Sequence, residues 1–148
     1  MKTFAENKKA YFNYDILEKF DAGLVLNGQE VKSIKLGRMT LEGSYVVFKG
    51  EEPFLIGAKV PAYQPKNAPA DYDVERSRKL LLSKKEILYL MGRTSQKGLT
   101  LMPLKVYSNN AKIKLEFGLA KGKKKFDKRE DIKKREENRE IEREMGRI

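Results

Sequence analysis

The alternation of apolar and polar side chains predicts a chain made mainly of β-strands. From Phe12 to Leu26, aromatic and aliphatic residues fall on one parity, while Asn13 and the charged residues Asp15 and Lys19 fall on the other. A period of two places one side of such a segment in a core and the other in solvent. Gly23 interrupts the run, and we expect a β-bulge or sharp bend there, as small barrels require.

Two capping boxes predict two helices. Asn27 with Glu30 three residues later opens a helix of about two turns, which Gly37 can end in a left-handed conformation. Ser83 with Glu86 opens a second helix, for which Gly92 is the predicted end.

Four further strands are predicted in two pairs. Residues 45–48 and 54–60 are rich in β-branched and aromatic side chains and flank a turn that needs Gly50, which is typical of a β-hairpin. Residues 99–106 and 112–119 flank a second turn, and the odd-numbered side chains of the latter segment are apolar. Each pair is therefore expected to be antiparallel.

A small closed barrel is the predicted architecture. Residues 1–10 are predicted to form a polar arm and residues 61–72 an exposed loop, because neither stretch shows a period. The remaining pattern contains about six strands and two or three short helices, without the regular strand–helix alternation of a parallel sheet. We therefore expect one mainly β domain over residues 1–120, an OB-type barrel, a fold that often binds nucleic acid.

The residue inventory favours a nucleic-acid partner over catalysis. The chain carries a net charge of +11, and 36% of its residues are charged, which is typical of proteins that bind polyanions. It contains no Cys and no His, so thiolate metal ligands and the commonest general base are missing. Glu51 and Glu52 could hold Mg²⁺ in a nuclease, but no third carboxylate is near in sequence. We expect no enzyme activity and no cofactor; a generic OB-fold single-strand binder or ribosomal protein and a metal-dependent nuclease are the alternatives.

No stretch of the sequence has the length and apolar character of a signal peptide or a membrane span. We therefore expect a cytoplasmic protein without a membrane partner.

Residues 121–148 are predicted to form a basic tail. They carry 12 Lys/Arg and 8 Asp/Glu, a net charge of +4, which leaves +7 in the body. Apolar side chains are too few for a docking stripe, so the tail is expected to be disordered when free. Charge pairs four residues apart, such as Glu130 with Lys134, favour a helix that forms on a partner. The lysines around Gly122 could neutralise phosphates and Phe126 could stack on a base; the alternative is a merely solubilising extension.

Two groups of charged residues in the body are candidate RNA contacts. Arg76, Arg78 and Lys79 directly precede three leucines, so we expect rigidly anchored cations that face phosphates; the alternative is that they only shield an apolar segment. Asp21 and Glu30 could accept hydrogen bonds from base amino groups or ribose hydroxyls, although Glu30 could instead be only a helix cap.

Five sequence blocks resemble those of the SsrA-binding protein family, also called small protein B. They are Asn7-Lys8-Lys9-Ala10, Ala22-Gly23-Leu24, Gly28-Gln29-Glu30-Val31-Lys32-Ser33, Arg76-Ser77-Arg78-Lys79-Leu80-Leu81-Leu82, and Gly122-Lys123-Lys124 with Asp127-Lys128-Arg129. The resemblance implies an OB-type barrel that binds the tRNA-like part of transfer-messenger RNA and accompanies it to stalled ribosomes in trans-translation. The tail would then enter the empty mRNA path of the small subunit, beside the decoding region, and become helical there.

The resemblance also implies roles for individual residues. RNA-binding roles fall on Asn7, Lys8, Lys9, Asp21, Glu30, Lys32, Arg76, Arg78, Lys79, Leu81 and Lys114. Ribosome-binding roles fall on Lys121, Gly122, Lys123, Lys124, Lys125, Phe126, Asp127, Lys128 and Arg129. Elongation factor Tu and alanyl-tRNA synthetase are implied as indirect partners, through the RNA. The family usually has Glu at position 21 and often Tyr or His at position 126, where this chain has Asp and Phe.

Overall fold

The strands and helices follow the chain in an order without regular alternation. The computed structural model describes residues 1–123, residue 129, residues 132–137 and residue 139. Its elements are β1 (Lys2–Glu6), α1 (Lys8–Asn13), β2 (Tyr14–Leu24), α2 (Gly28–Lys35), β3 (Tyr45–Lys49), β4 (Glu52–Ile56), β5 (Arg78–Leu81), α3 (Lys84–Thr94), β6 (Leu99–Asn109) and β7 (Lys112–Gly122). The loop between β4 and β5 contains one 3₁₀ turn, Pro65–Asn67.

Six of the strands close into a ring. Their order is β6-β3-β4-β5-β2-β7, and β6 also pairs with β7, so the last strand meets the first. Every pair is antiparallel. The seventh strand, β1, lies outside the ring and extends β6. The predicted mainly β barrel with a few short helices is therefore confirmed.

The barrel interior is filled by the apolar side chains that lie on the inner face of each strand. Leu115, Phe117 and Leu119 of β7 are fully buried, and Ile34 of α2 and Leu90 of α3 join the same cluster. Burying one such side chain is worth about 1.5–3 kcal/mol relative to exposure. Because neighbouring side chains on a strand point to opposite faces, Lys112, Lys114 and Glu116 of β7 face outwards, whereas Ala120 is buried with Ala10 of α1 in a second apolar cluster.

Both predicted capping boxes are present. The Asn27 side chain accepts a hydrogen bond from the backbone of Glu30, whose carboxylate accepts one in return, and Ser83 and Glu86 do the same at α3. Gly37 follows α2 with a φ of +75°, the left-handed conformation predicted for it. Gly50, with a φ of +64°, forms the turn of the predicted β3–β4 hairpin.

Three local predictions are wrong. The expected N-terminal arm is a strand paired with β6, followed by α1. Of the bulge or sharp bend expected at Gly23, the bulge lies between Ile16 and Glu18 instead, where the register of β2 with β7 shifts. Helix α3 continues through Gly92 to Thr94, because a glycine costs a helix only about 1 kcal/mol and no other feature stops it there.

The described tail residues 129, 132–137 and 139 are helical and exposed, in line with the predicted helical tendency. The guanidinium of Arg135 contacts the body, where it lies 5.4 Å from the centroid of the Phe12 ring. Lys124 to Lys128, which include Lys125, Phe126 and Asp127, lie outside the described residues. No helix in the described part of the chain is long and apolar enough to cross a membrane.

Candidate nucleic-acid interface

A row of four residues crosses the outer face of the barrel. Gly23 of β2 is paired with Leu81 of β5 on one side and with Lys114 of β7 on the other. Lys114 is in turn paired with Tyr107 of β6. Directly opposed residues share one face of a sheet, so this row places an apolar side chain, a gap at Gly23, a cation and a phenol side by side.

A second row lies two residues along the same strands. Asp21 is paired with Glu116, and Glu116 is paired with Lys105. Like charges directly opposite each other repel, but Lys19 and Lys105 lie 3.9 and 3.7 Å from the Glu116 carboxylate. The two rows bring Asp21, Leu81 and Lys114 together, although these residues are far apart in sequence.

Tyr107 connects the two rows. Its hydroxyl donates a hydrogen bond of 2.7 Å to Oδ1 of Asp21. Burial first, and then the hydrogen bond and charge of Asp21, raise the pKa of Tyr107 to about 12. The phenol therefore remains a protonated donor at neutral pH, and it fixes one oxygen of an otherwise exposed carboxylate.

Gly23 is required for the close approach of β2 to the Leu81 side chain. A Cβ atom at Gly23 would lie 3.3 Å from Cβ of Leu81 and 3.4 Å from its Cδ1. Leu81 nevertheless remains 57% exposed. An exposed leucine on a strand among charged residues offers an apolar contact surface to a ribose or a base.

The expected outward cluster of Arg76, Arg78 and Lys79 is wrong for Arg78. Its side chain is fully buried, with Nη2 lying 2.6 Å from Oε2 of Glu30, which is also fully buried. The strand period accounts for the difference, because Arg78 lies on the same parity of β5 as the core residue Leu80. Arg78 therefore cannot meet phosphates in this structure, and Glu30 cannot meet a base.

The guanidinium of Arg78 donates four hydrogen bonds. Nε donates to Glu30, and Nη1 and Nη2 donate to the backbone oxygens of Ala58, Val74 and Arg76 at 2.9–3.1 Å. Three segments of chain are thus joined through one guanidinium. Glu30 serves as a helix cap as well, so its predicted capping role is confirmed and extended.

Glu30 remains charged despite its burial. Burial by itself raises the pKa of this carboxyl, but hydrogen bonds from Arg76 and the Asn27 backbone and the charges of Arg78 and Arg76 outweigh it, so the pKa lies below its ordinary value. Arg76 is half-buried, with Nη2 lying 2.6 Å from Oε1 of Glu30. The charge of Arg76 is therefore paired with a buried carboxylate. Lys79, in contrast, is exposed on β5, and its ammonium lies 3.3 Å from the Glu52 carboxylate.

Among the N-terminal candidates, Asn7 is buried and structural. Its side chain donates to the backbone oxygen of Pro103 at 3.0 Å, and its own N–H donates to Leu104, which ties the start of α1 to β6. Lys8 and Lys9 are exposed. Lys9 forms an ion pair of 2.6 Å with Glu42, and the hydrogen bond that its ammonium donates to Glu42 raises the pKa of Lys9.

Lys32, the remaining body candidate, is exposed on α2, away from both rows. Its ammonium lies 5.5 Å from the centroid of the Tyr63 ring, in the loop between β4 and β5. Of the tail candidates, Lys121 and Gly122 are exposed at the end of β7, and Arg129 is exposed in the described helical residues.

A cleft of about 430 Å³ lies where the chain leaves the barrel for the tail. It is lined by Tyr14, Tyr45 and Lys123 among others, and the N–H of Lys123 donates to the backbone oxygen of Asn13 at 2.9 Å. Burial first, then the charge of Tyr45 and a hydrogen bond with it, raise the pKa of Tyr14. The first residues of the tail therefore lie beside the phenol side chains of Tyr14 and Tyr45.

Sequence reasoning missed Tyr107, Glu116 and Lys105. Tyr107 lies one residue beyond the predicted end of its strand, and the other two were read only as polar positions. Their importance depends on strand register, which the sequence pattern does not contain. Within the described ranges, no three His, Cys, Asp or Glu side chains are grouped in a way that could hold a metal ion.

The model of the SmpB protein family matches residues 4–147. The chain belongs to the SmpB family. It is 50% identical over 141 residues to an SsrA-binding protein of Sulfurihydrogenibium sp. (strain YO3AOP1), a match that covers 95% of this chain and 92% of the relative. It is 45% identical over 145 residues to an SsrA-binding protein of Thermosynechococcus vestitus (strain NIES-2133 / IAM M-273 / BP-1), a match that covers 98% of this chain and 95% of the relative.

A solved SmpB-family structure has the same fold. It is described as "tmRNA-SmpB: a journey to the center of the bacterial ribosome", and it is 44% identical, with a TM-score of 0.67 and coverage of 81% of this chain and 84% of that one. The family resemblance seen in the five sequence blocks is therefore confirmed.

Proposed function

We propose that this protein binds transfer-messenger RNA and acts with it in trans-translation on stalled ribosomes. The observation that carries the proposal is the placement of Asp21, Leu81 and Lys114 in two adjacent rows of one barrel face, in a member of the SmpB family. A carboxylate, an apolar side chain and a cation can respectively meet an amino or hydroxyl group, a ribose or base, and a phosphate.

The tRNA-like part of the RNA is the ligand assigned to this face. The exposed cations Lys8, Lys19 and Lys79 surround the two rows and can meet phosphates beyond the central contacts. Arg78 and Glu30 act here as positioning residues, since their buried pair holds α2, β5 and the loop that precedes β5 in place.

The tail is assigned to the ribosome. Residues 121–148 would occupy the empty mRNA path of the small subunit, where rRNA phosphates attract its cations and a helix forms on contact. The helical state of residues 132–137 supports this role, because a segment with helical tendency loses less entropy when it orders.

The protein is proposed to act without catalysing a reaction, as a cytoplasmic protein. Elongation factor Tu and alanyl-tRNA synthetase would meet it only through the shared RNA. An RNA that returns intact after incubation with the protein and Mg²⁺ would agree with this role, whereas cleavage would favour the nuclease alternative.

A gel-shift titration tests the proposed RNA face. Lys114→Ala should weaken binding of an in vitro transcribed tRNA-like domain by about tenfold, because a charged hydrogen bond is lost. Lys49→Ala is the matched control, since Lys49 is an exposed cation on β3, which does not neighbour β2 or β7 in the ring. Equal losses in the two variants would contradict a localised site.

A further inference from the structure

We propose that Tyr11, with Lys19 and Lys105, forms a subsite that stacks one unpaired RNA base at the end of the barrel face described above. The proposal rests on the proposed function and extends the site to α1. No family motif used in the sequence analysis contains Tyr11, Lys19 or Lys105.

The first observation is a pocket that continues the second row. It encloses about 270 Å³ and is lined by Tyr11, Lys19, Leu104, Lys105 and Glu116 among others. Glu116 and Lys105 belong to the second row as well, so the pocket begins beside Asp21. Pockets for drug-sized ligands measure about 300–1,000 Å³, so this smaller one fits a single planar group.

The second observation is the exposed ring of Tyr11. It is 43% exposed on α1, and the ammonium of Lys19 lies 5.6 Å from its centroid. The ring adjoins the candidate RNA face, because it lines the pocket that also contains Lys105 and Glu116. A base can replace the cation on the ring while the exposed Lys19 side chain moves to a phosphate of the same nucleotide.

The third observation is the balance of charge in the pocket. The ammonium groups of Lys19 and Lys105 converge on the Glu116 carboxylate from opposite strands. This arrangement provides two phosphate contacts and one acceptor that can bind a base amino group. A nucleotide fits it better than an acidic peptide, because a base amino group can donate a hydrogen bond to Glu116, whereas an acidic side chain has no donor for Glu116 or Glu6 in the pocket wall.

The test uses the absence of tryptophan from the chain. Tyr11→Trp in the full-length protein introduces a single indole, whose fluorescence is followed while the in vitro transcribed tRNA-like domain is added. Stacking should quench it over the same concentration range as the gel shift. Glu51→Trp, at the exposed β3–β4 turn, is the control and should show little quenching.

Affinity gives a second readout. Tyr11→Ala should weaken RNA binding by about fivefold or more, whereas Tyr11→Phe, which keeps the ring, should bind nearly as wild type. Equal quenching at the two tryptophan positions, or unchanged affinity in Tyr11→Ala, would overturn the subsite. If the wild-type protein still binds the RNA in that experiment, the proposed function survives; if wild type does not bind, the proposed function itself fails.

Discussion

The hydroxyl of Tyr107 donates a 2.7 Å hydrogen bond to Oδ1 of Asp21 across the outer face of the barrel. The bond orients a carboxylate that is one methylene shorter than the glutamate usual in the family. Tyr107 is only 5% exposed, so it can support Asp21 without itself offering a large surface to RNA.

The first prediction concerns this pair. Tyr107→Phe removes the donor while retaining the ring, and it should lower RNA affinity by about fivefold, the worth of one hydrogen bond. Asp21→Asn should also lower affinity, and the double variant should lose less than the two single losses combined, because they share one interaction. Fully additive losses in a gel-shift double-mutant cycle would show that Tyr107 does not act through Asp21.

The second prediction concerns the buried arginine. Arg78→Ala should lower the free energy of unfolding by about 3–5 kcal/mol, because Glu30 loses a buried partner and three backbone oxygens lose their donor. Lys79→Ala, the next residue and an exposed one, should change it by less than about 0.5 kcal/mol. Urea unfolding measures both variants, and similar values for the two would contradict the assignment of Arg78 to the interior.

The third prediction concerns the pH dependence of stability. The pKa of Glu30 is lowered in the folded protein, so its charge stabilises the fold above the unfolded pKa of about 4.3, and this contribution is lost as pH falls through the lower folded value. Glu30→Gln should therefore be less stable than wild type at pH 7, with the difference shrinking on acidification below about pH 4. A difference that stays constant from pH 7 to pH 3 in urea unfolding would contradict the prediction.

The fourth prediction separates the tail from the barrel. Replacing Asp127, Lys128 and Arg129 together with Ala should abolish peptide tagging in a reconstituted translation system and leave the gel shift with transfer-messenger RNA unchanged, because the proposed RNA face lies on β2, β5 and β7. Normal tagging by the triple variant would reduce the tail to a nonspecific extension. Loss of the gel shift as well would show that tail and barrel share one site.

The local sequence determined the helix starts and the buried strand faces, because these depend on interactions between residues close together in the chain. The capping boxes at Asn27 and Ser83 predict two helix starts correctly, since each needs only groups three residues apart. The apolar parity of β7 likewise predicts its buried face, because side chains alternate on any strand. The prediction of a small closed barrel followed from the number and spacing of the strands.

Tertiary structure alone decided which residues meet. In the sequence, Arg78 is one member of a basic cluster. In the structure its side chain points inward, because it lies on the buried parity of β5, and there it pairs with Glu30 of α2, some fifty residues earlier. The N-terminal segment shows no strand period, yet β6 pairs with it because a long strand offers more edge than β3 covers. The grouping of Asp21, Leu81 and Lys114 depends on strand register, and a shift of one residue would place them on opposite faces. Local pattern carries no information about register, because register is set by packing between strands that are distant in the sequence.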